Sequence, residues 1–149
     1  MTEIGMIDIT DKPFVQREAE AEGIIKLDPS TINLIKNRKI EKGDVINTAK
    51  IAAIQAVKKT PDILPLCHPI KITSVNFSHI IEFDKLIISV TVKGLEQTGV
   101  EMEALTGVAA GLLTVWDMTK QYEKDETGNY PNTAINSIQV KYKIISSRQ

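Results

Sequence analysis

The sequence is poor in the residues that usually announce a function. Its 149 residues include one cysteine, one tryptophan and two histidines, which excludes an intrachain disulfide and a cage built from cysteine alone. No apolar run approaches the roughly 20 residues of a membrane-spanning helix, and the opening MTEIGMIDIT lacks a basic stretch followed by an apolar one. Charge is nearly balanced, with 18 Lys plus Arg against 19 Asp plus Glu. That withholds the global basic field that would favour nucleic acid or an anionic membrane as partner. No repeat, low-complexity tract or linker divides the chain. The remaining profile, 42% apolar, 25% charged and 5% aromatic, predicts one globular domain over residues 1–149 of a cytoplasmic protein. Any anion site has to be local.

Periodicity then places the elements. Glu18 to Leu27 alternates in a way that suits a strand with one wet face, and Gly23 argues against a helix there. Asp28-Pro29-Ser30 supplies a cap followed by proline at the first helical position, predicting a helix that ends near Lys39. Asp44 caps a second helix running to about Lys59 and stopped by Pro61. Ile70 to Gly94 reads as two strands joined at Asp84-Lys85. From Gly99 to about Glu123 runs the longest helix, whose Gly107 and Gly111 predict close packing against a sheet or another backbone. Ile135 to Ile145 alternates as a last strand. The fold class is therefore α+β, a mainly antiparallel sheet with helices packed on one face and the other face open to a further subunit.

Three groups of residues could do chemistry. In PDILPLCHP, prolines stiffen the chain around His68, and an extended backbone sends Cys67 and His68 to opposite sides, predicting a buried thiol and an exposed imidazole. A basic run of Lys36, Arg38, Lys39, Lys42, Lys50, Lys58 and Lys59 is usually a solvated face. Within it, however, Lys42-Gly43-Asp44 puts an ammonium beside the amides of a helix start, where a phosphate can be held. It is not a GxxxxGK[ST] loop. The third group lies on the long helix. Glu101 and Glu103 face roughly opposite ways, so one of them looks inward. Asp117 and Lys120 share a face, and Trp116 and Met118 predict partial burial of that pair. At a rise of about 1.5 Å per residue, Glu103 and Asp117 lie about 21 Å apart on a straight helix. For both to act on one small molecule, a break in the helix or a pocket shared between copies is required, and the shared pocket is predicted.

The strings KGDVINTAKIAAIQAVKKTPDILPLCHPI and QTGVEMEALTGVAAGLLTVWDMTK closely resemble the cyclic pyranopterin monophosphate synthase family, the C protein of molybdenum cofactor biosynthesis. The resemblance extends from about Ile7 to Ile145, and KGDV, PLCHP, TGVEMEALT and DMTK in that order are highly specific. It implies a ferredoxin-like subunit assembled as a hexamer, a trimer of dimers, with active sites at subunit interfaces. It also implies conversion of 3′,8-cyclo-7,8-dihydro-GTP into cyclic pyranopterin monophosphate and pyrophosphate, a rearrangement that needs proton transfers but no redox step. By motif, Asp117, Lys42 and Lys120 match the family's active-site aspartate and lysines, and His68 is the fourth catalytic candidate. Leu66, Cys67, His68, Met102 and Glu103 match substrate-contact segments, and Glu101 joins them. Arg17, Lys58, Lys59 and Thr98 match further polar contacts. Many relatives end in a glycine-rich KSGGKSG lid. Here the sequence is Lys143-Ile144-Ile145-Ser146-Ser147-Arg148, in which Lys143 keeps the first lysine. No tightly bound cofactor and no protein metal cage are implied, although magnesium could accompany the substrate phosphates. Competing readings are a non-catalytic nucleotide- or pterin-binding assembly domain and a nucleotide lyase with an altered substrate.

Overall fold

The computed structural model describes residues 3–146. Along the chain run β1 (Val15–Lys26), α1 (Pro29–Lys36), α2 (Val45–Lys58), the single turn α3 (Thr60–Ile63), β2 (Ile72–Ile81), β3 (Lys85–Glu96), α4 (Glu101–Glu123) and β4 (Ala134–Ser146). The strands form one antiparallel sheet in the order β2-β3-β1-β4. With β1 and β3 central, this is the α+β arrangement of ferredoxin-like type that the pattern predicts. No helix among the described residues is long and apolar enough to cross a membrane.

Alternation along β1 decides which face is covered. Ala19, Ala21 and Ile25 turn to the helices and are wholly buried, joined from β3 by Leu86, Ile88, Val90 and Val92. Helix α4 lays Ala104, Val108, Leu112 and Val115 on this floor, and α2 adds Ala49, Ala53 and Val57. Each fully buried Val, Leu or Ile stabilises by about 1.5–3 kcal/mol, so this layer is the main source of fold stability. The opposite face carries Glu18, Glu20 and Glu22 in a row. Lys93 lies 3.6 Å from Glu18, Thr91 donates to Glu20 (2.7 Å), and Lys141 lies 3.3 and 3.5 Å from Glu20 and Glu22. Tyr142 donates to Glu18 at 2.6 Å, and that bond pushes its phenol up to about 12.

Two helix boundaries differ from the sequence expectation. Helix α1 stops at Lys36 instead of near Lys39, because Arg38 takes a left-handed backbone (φ 54) that an α-helix cannot contain. Pro61 is not a bare stop either. After α2 ends at Lys58 the proline sits in the first turn of α3, where its missing N–H leaves no helical bond unmade.

The long helix approaches its neighbours closely because side chains are missing where it crosses them. A Cβ on Gly23 would meet Leu112 Cδ1 at 2.7 Å and Val108 Cγ1 at 2.8 Å, so β1 can lie under α4 only with glycine there. On the other flank, a Cβ on Gly107 would come 2.8 Å from Val57 Cγ2 and 3.3 Å from the Ala53 carbonyl. At Gly111 the nearest atom is 3.4 Å away. The two helical glycines should therefore respond oppositely to alanine. Gly107→Ala is expected to destabilise by about 1–3 kcal/mol, since Val57 is stiff and overpacks. Gly111→Ala fits, and should gain up to about 1 kcal/mol of helix propensity. Denaturant midpoints of the two variants against the parent check the opposite signs.

Candidate active site

The N-terminal end of α4 faces a cavity of about 690 Å³ whose lining includes Leu66, Cys67, His68, Thr98, Glu101 and Met102. These side chains come from the proline-rich stretch after α3, from the β3–α4 connection and from the first turn of α4. Ile7, Ile9 and Lys12 of the N-terminal segment form the far side. Of the two carboxyls, Glu103 is the one that looks inward, at 1% exposure. Cys67 Sγ donates to Glu103 Oε2 at 3.7 Å, while Glu103 Oε1 is buried without a partner. Burial holds the Glu103 carboxyl above the usual range, with the Cys67 hydrogen bond offsetting only part of it. Burial, then the Glu103 charge, pushes the Cys67 thiol up, which disfavours the nucleophilic thiolate. Glu101 takes Lys143 Nζ at 3.1 Å across from β4 and leaves its second oxygen buried and unpartnered. Cys67 and His68 are both half-buried, which corrects the expected contrast between a buried thiol and an exposed imidazole.

At the other end of the helix Asp117 is held between two lysines. Lys120 Nζ lies 3.1 Å from Oδ1, and Lys42 Nζ lies 3.3 Å from Oδ2 and 3.1 Å from the Asp117 carbonyl. The hydrogen bond from Lys120, then that from Lys42, holds the Asp117 carboxyl below its ordinary range. Asp117 is 59% exposed, contrary to the expected burial. Trp116 does not cover it, packing edge-on against Tyr130 at 5.2 Å instead. The expected phosphate cradle at Lys42-Gly43-Asp44 is also partly filled from within. Asp44 Oδ1 accepts from Asn47 N at 3.0 Å, and Lys42 turns to Asp117.

The two clusters sit at opposite ends of an unbroken 23-residue helix, so the interval of about 21 Å stands within one chain. Arg17 is 8% exposed. It donates from Nε to Glu96 O (3.0 Å) and from Nη2 to Gln97 O (3.4 Å), which pins the end of β3. Lys58 lines a separate groove with Ile54, Ile70 and Thr73, and Lys59 caps α2 on the exposed surface. The change from a glycine-rich lid continues past residue 146, outside the described residues. Among the described residues no group of three or more His, Cys, Asp or Glu side chains is placed to hold a metal ion.

Sequence reasoning missed the N-terminal segment. Asp8 shares a second cavity with His68, Thr98 and Gln97, and bonds from Thr10 hold its carboxyl low. Gln97 Nε2 donates to the carbonyls of Ile9 (3.1 Å), Thr10 (3.3 Å) and Lys12 (2.9 Å), which fastens this segment beside His68. The available signal was the alternation of Ile7-Asp8-Ile9-Thr10 in the opening stretch.

Fold and side chains together define the class: a ferredoxin-like α+β protein with carboxyl groups and lysines gathered at the two ends of one helix. The MoaC family model matches residues 6–145, and the chain belongs to that family. It is 54% identical over 144 residues to a probable cyclic pyranopterin monophosphate synthase of Sulfurisphaera tokodaii, covering 97% of this chain and 95% of the relative. Its identity to a protein of the same name from Sulfolobus acidocaldarius is 56% over 141 residues, 95% and 99% of the two chains. A Methanothermobacter thermautotrophicus relative, 53% identical over 137 residues (92% of this chain, 86% of the relative), is named a probable cyclic pyranopterin monophosphate synthase accessory protein.

Glu103 has a pH signature of its own. A carboxyl whose folded-state proton affinity is raised contributes no penalty below its unfolded value, near 4.5, and destabilises as pH rises through the folded value. Glu103→Gln, which cannot ionise, should therefore raise the unfolding free energy at pH 7, by about 1–2 kcal/mol. The gain should vanish at about pH 4, where the parent side chain is already neutral. Paired urea titrations at the two pH values check the difference.

Proposed function

We propose that this chain forms cyclic pyranopterin monophosphate from 3′,8-cyclo-7,8-dihydro-GTP with release of pyrophosphate, acting as a phosphorus–oxygen lyase of molybdenum cofactor biosynthesis in the cytoplasm. Membership of the MoaC family and the names of its relatives support this reading. The observation that carries it is the contrast on α4 between Glu103, whose proton affinity is raised by burial, and Asp117, whose proton affinity is lowered by the hydrogen bonds from Lys120 and Lys42. Carboxyls driven apart in proton affinity are what a rearrangement with both proton donation and proton removal requires.

Each group then has work suited to its surroundings. The cavity of Leu66, Cys67 and Met102 receives the guanine-derived rings, with His68, Glu101 and Glu103 exchanging protons as rings open and reclose. Lys42 and Lys120 neutralise the charge that develops as the α-phosphorus–oxygen bond to pyrophosphate breaks. Asp117 accepts the proton of the sugar hydroxyl that takes its place. Any magnesium ion enters with the substrate phosphates and not through a protein cage. Because one chain separates its clusters by about 21 Å, the working site joins the His68 end of one copy to the Asp117 end of another, in a hexamer built as a trimer of dimers.

Purified protein given the cyclised GTP intermediate is expected to release pyrophosphate, and Asp117→Asn to lower kcat by about 10²- to 10⁴-fold while remaining folded. No release by the parent chain would favour the accessory reading suggested by the Methanothermobacter relative's name. Mixing tests the shared site separately. His68→Ala and Lys120→Ala chains, each inactive alone, should regain about a quarter of parental turnover when denatured and refolded together, the fraction of intact sites under random pairing. A site wholly within one chain would show no recovery.

A further inference from the structure

Lys42 stands in the irregular stretch between α1 and α2, residues 37–44. Arg38 (φ 54) and Gly43 (φ 115) both hold left-handed backbone there. Ile40, at 5% exposure, anchors the middle of the stretch in the core, and Gly43 N closes a turn on Ile40 O at 3.0 Å. Glu41 and Lys42 are the two central residues of that turn, which shapes their backbone locally but does not set how the turn sits against α4. Tyr122 Oη accepts from the backbone N–H of Glu41 at 2.9 Å, and Gln121 Nε2 donates to Glu41 Oε2, also at 2.9 Å. The residue before Lys42 is thus gripped by both its backbone and its side chain. The Tyr122 ring is itself packed against the core, which makes it a rigid post.

We infer that Tyr122 and Gln121 are positioning residues for Lys42, holding the Glu41 segment so that Lys42 Nζ reaches Asp117. A lysine stem is long and flexible, and its charge disperses through solvent unless its backbone is fixed close to the target. Asp117 receives Lys42 Nζ at both its carbonyl and its carboxylate, and it lies on the same helix as the two clamping residues. One rigid element therefore sets both partners of the ion pair. The clamp bonds lie at exposed groups that water would satisfy if they were lost, so their role is orientation and not global stability. The inference rests on the proposed function only for the importance of Lys42 to turnover.

The test uses the full-length chain without ligand and then with the cyclised GTP intermediate. Acetylation by a soluble succinimidyl ester, read by mass spectrometry, gives the rate at Lys42 relative to Lys50 on the exposed side of α2 in the same molecules. Tyr122→Phe keeps the ring and removes the acceptor. It is expected to raise the Lys42 ratio several-fold, leave the thermal midpoint unmoved, and lower kcat roughly tenfold with a smaller change in KM, short of the about 100-fold that a 1 Å misplacement can cost. Glu41→Ala should reproduce part of the effect. Glu41→Gln, which keeps an oxygen for Gln121, should restore the parental ratio, and this pair decides the question should Tyr122→Phe fail to fold. A parental labelling ratio and kcat in Tyr122→Phe, or equal behaviour of the two Glu41 variants, overturns the inference. If the parent chain itself releases no pyrophosphate, the proposed function fails while the labelling ratio still decides the clamp.

Discussion

Helix α4 can lie flat on the sheet and tight against α2 only where β1 and the helix itself carry no side chain, at Gly23 and Gly107. The remaining geometry depends on this close approach. It brings Val108 and Leu112 down over Gly23 of β1 and sets Gly107 and Gly111 beside Val90 and Ile88 of β3, and so fixes the helix as a rigid bar across the core. Both ends of the bar are consequently fixed in space. Glu103 is pressed under the proline-rich stretch that carries Cys67, and Asp117 is carried out beyond the sheet into reach of Lys42. Opposite electrostatic environments at the two ends follow from one packing constraint: the first is dry, the second wet.

The wet end is made of long-range partners. Lys42 and Asp117 are far apart in sequence but meet because the stretch from 37 to 44 runs beneath the end of α4. At the dry end the partners also come from separate elements, with Cys67 from the stretch after α3, Lys143 from β4 and Gln97 tying in the N-terminal segment. Neither end is assembled by a local motif. Each is a meeting of short stretches around one helix, and a composition close to electrical neutrality accordingly concealed two strongly charged neighbourhoods.

What was legible in the residues and what was not divides along the same line. Periodicity placed every strand and every long helix, since alternation in β1 and three-and-four spacing in α4 are local properties. The inward turn of one glutamate followed from helical geometry, and Glu103 is that residue. The left-handed Arg38 was not legible, because no glycine marks the position and its backbone is set by how the following stretch docks. The exposure of Asp117 was misread from its neighbours Trp116 and Met118. Met118 does enter the core, whereas Trp116 turns to Tyr130, a partner that only the folded chain supplies.

The raised proton affinity of Cys67 has a consequence outside acid–base chemistry. Peroxide and disulfide exchange attack the thiolate, and a sulfhydryl that keeps its hydrogen reacts slowly with both. Cys67 is the chain's one cysteine, so burial and the neighbouring carboxylate together disfavour the thiolate at the one thiol the sequence offers. The buried glutamate beside that sulfur thereby lowers the share of the form that oxidants attack.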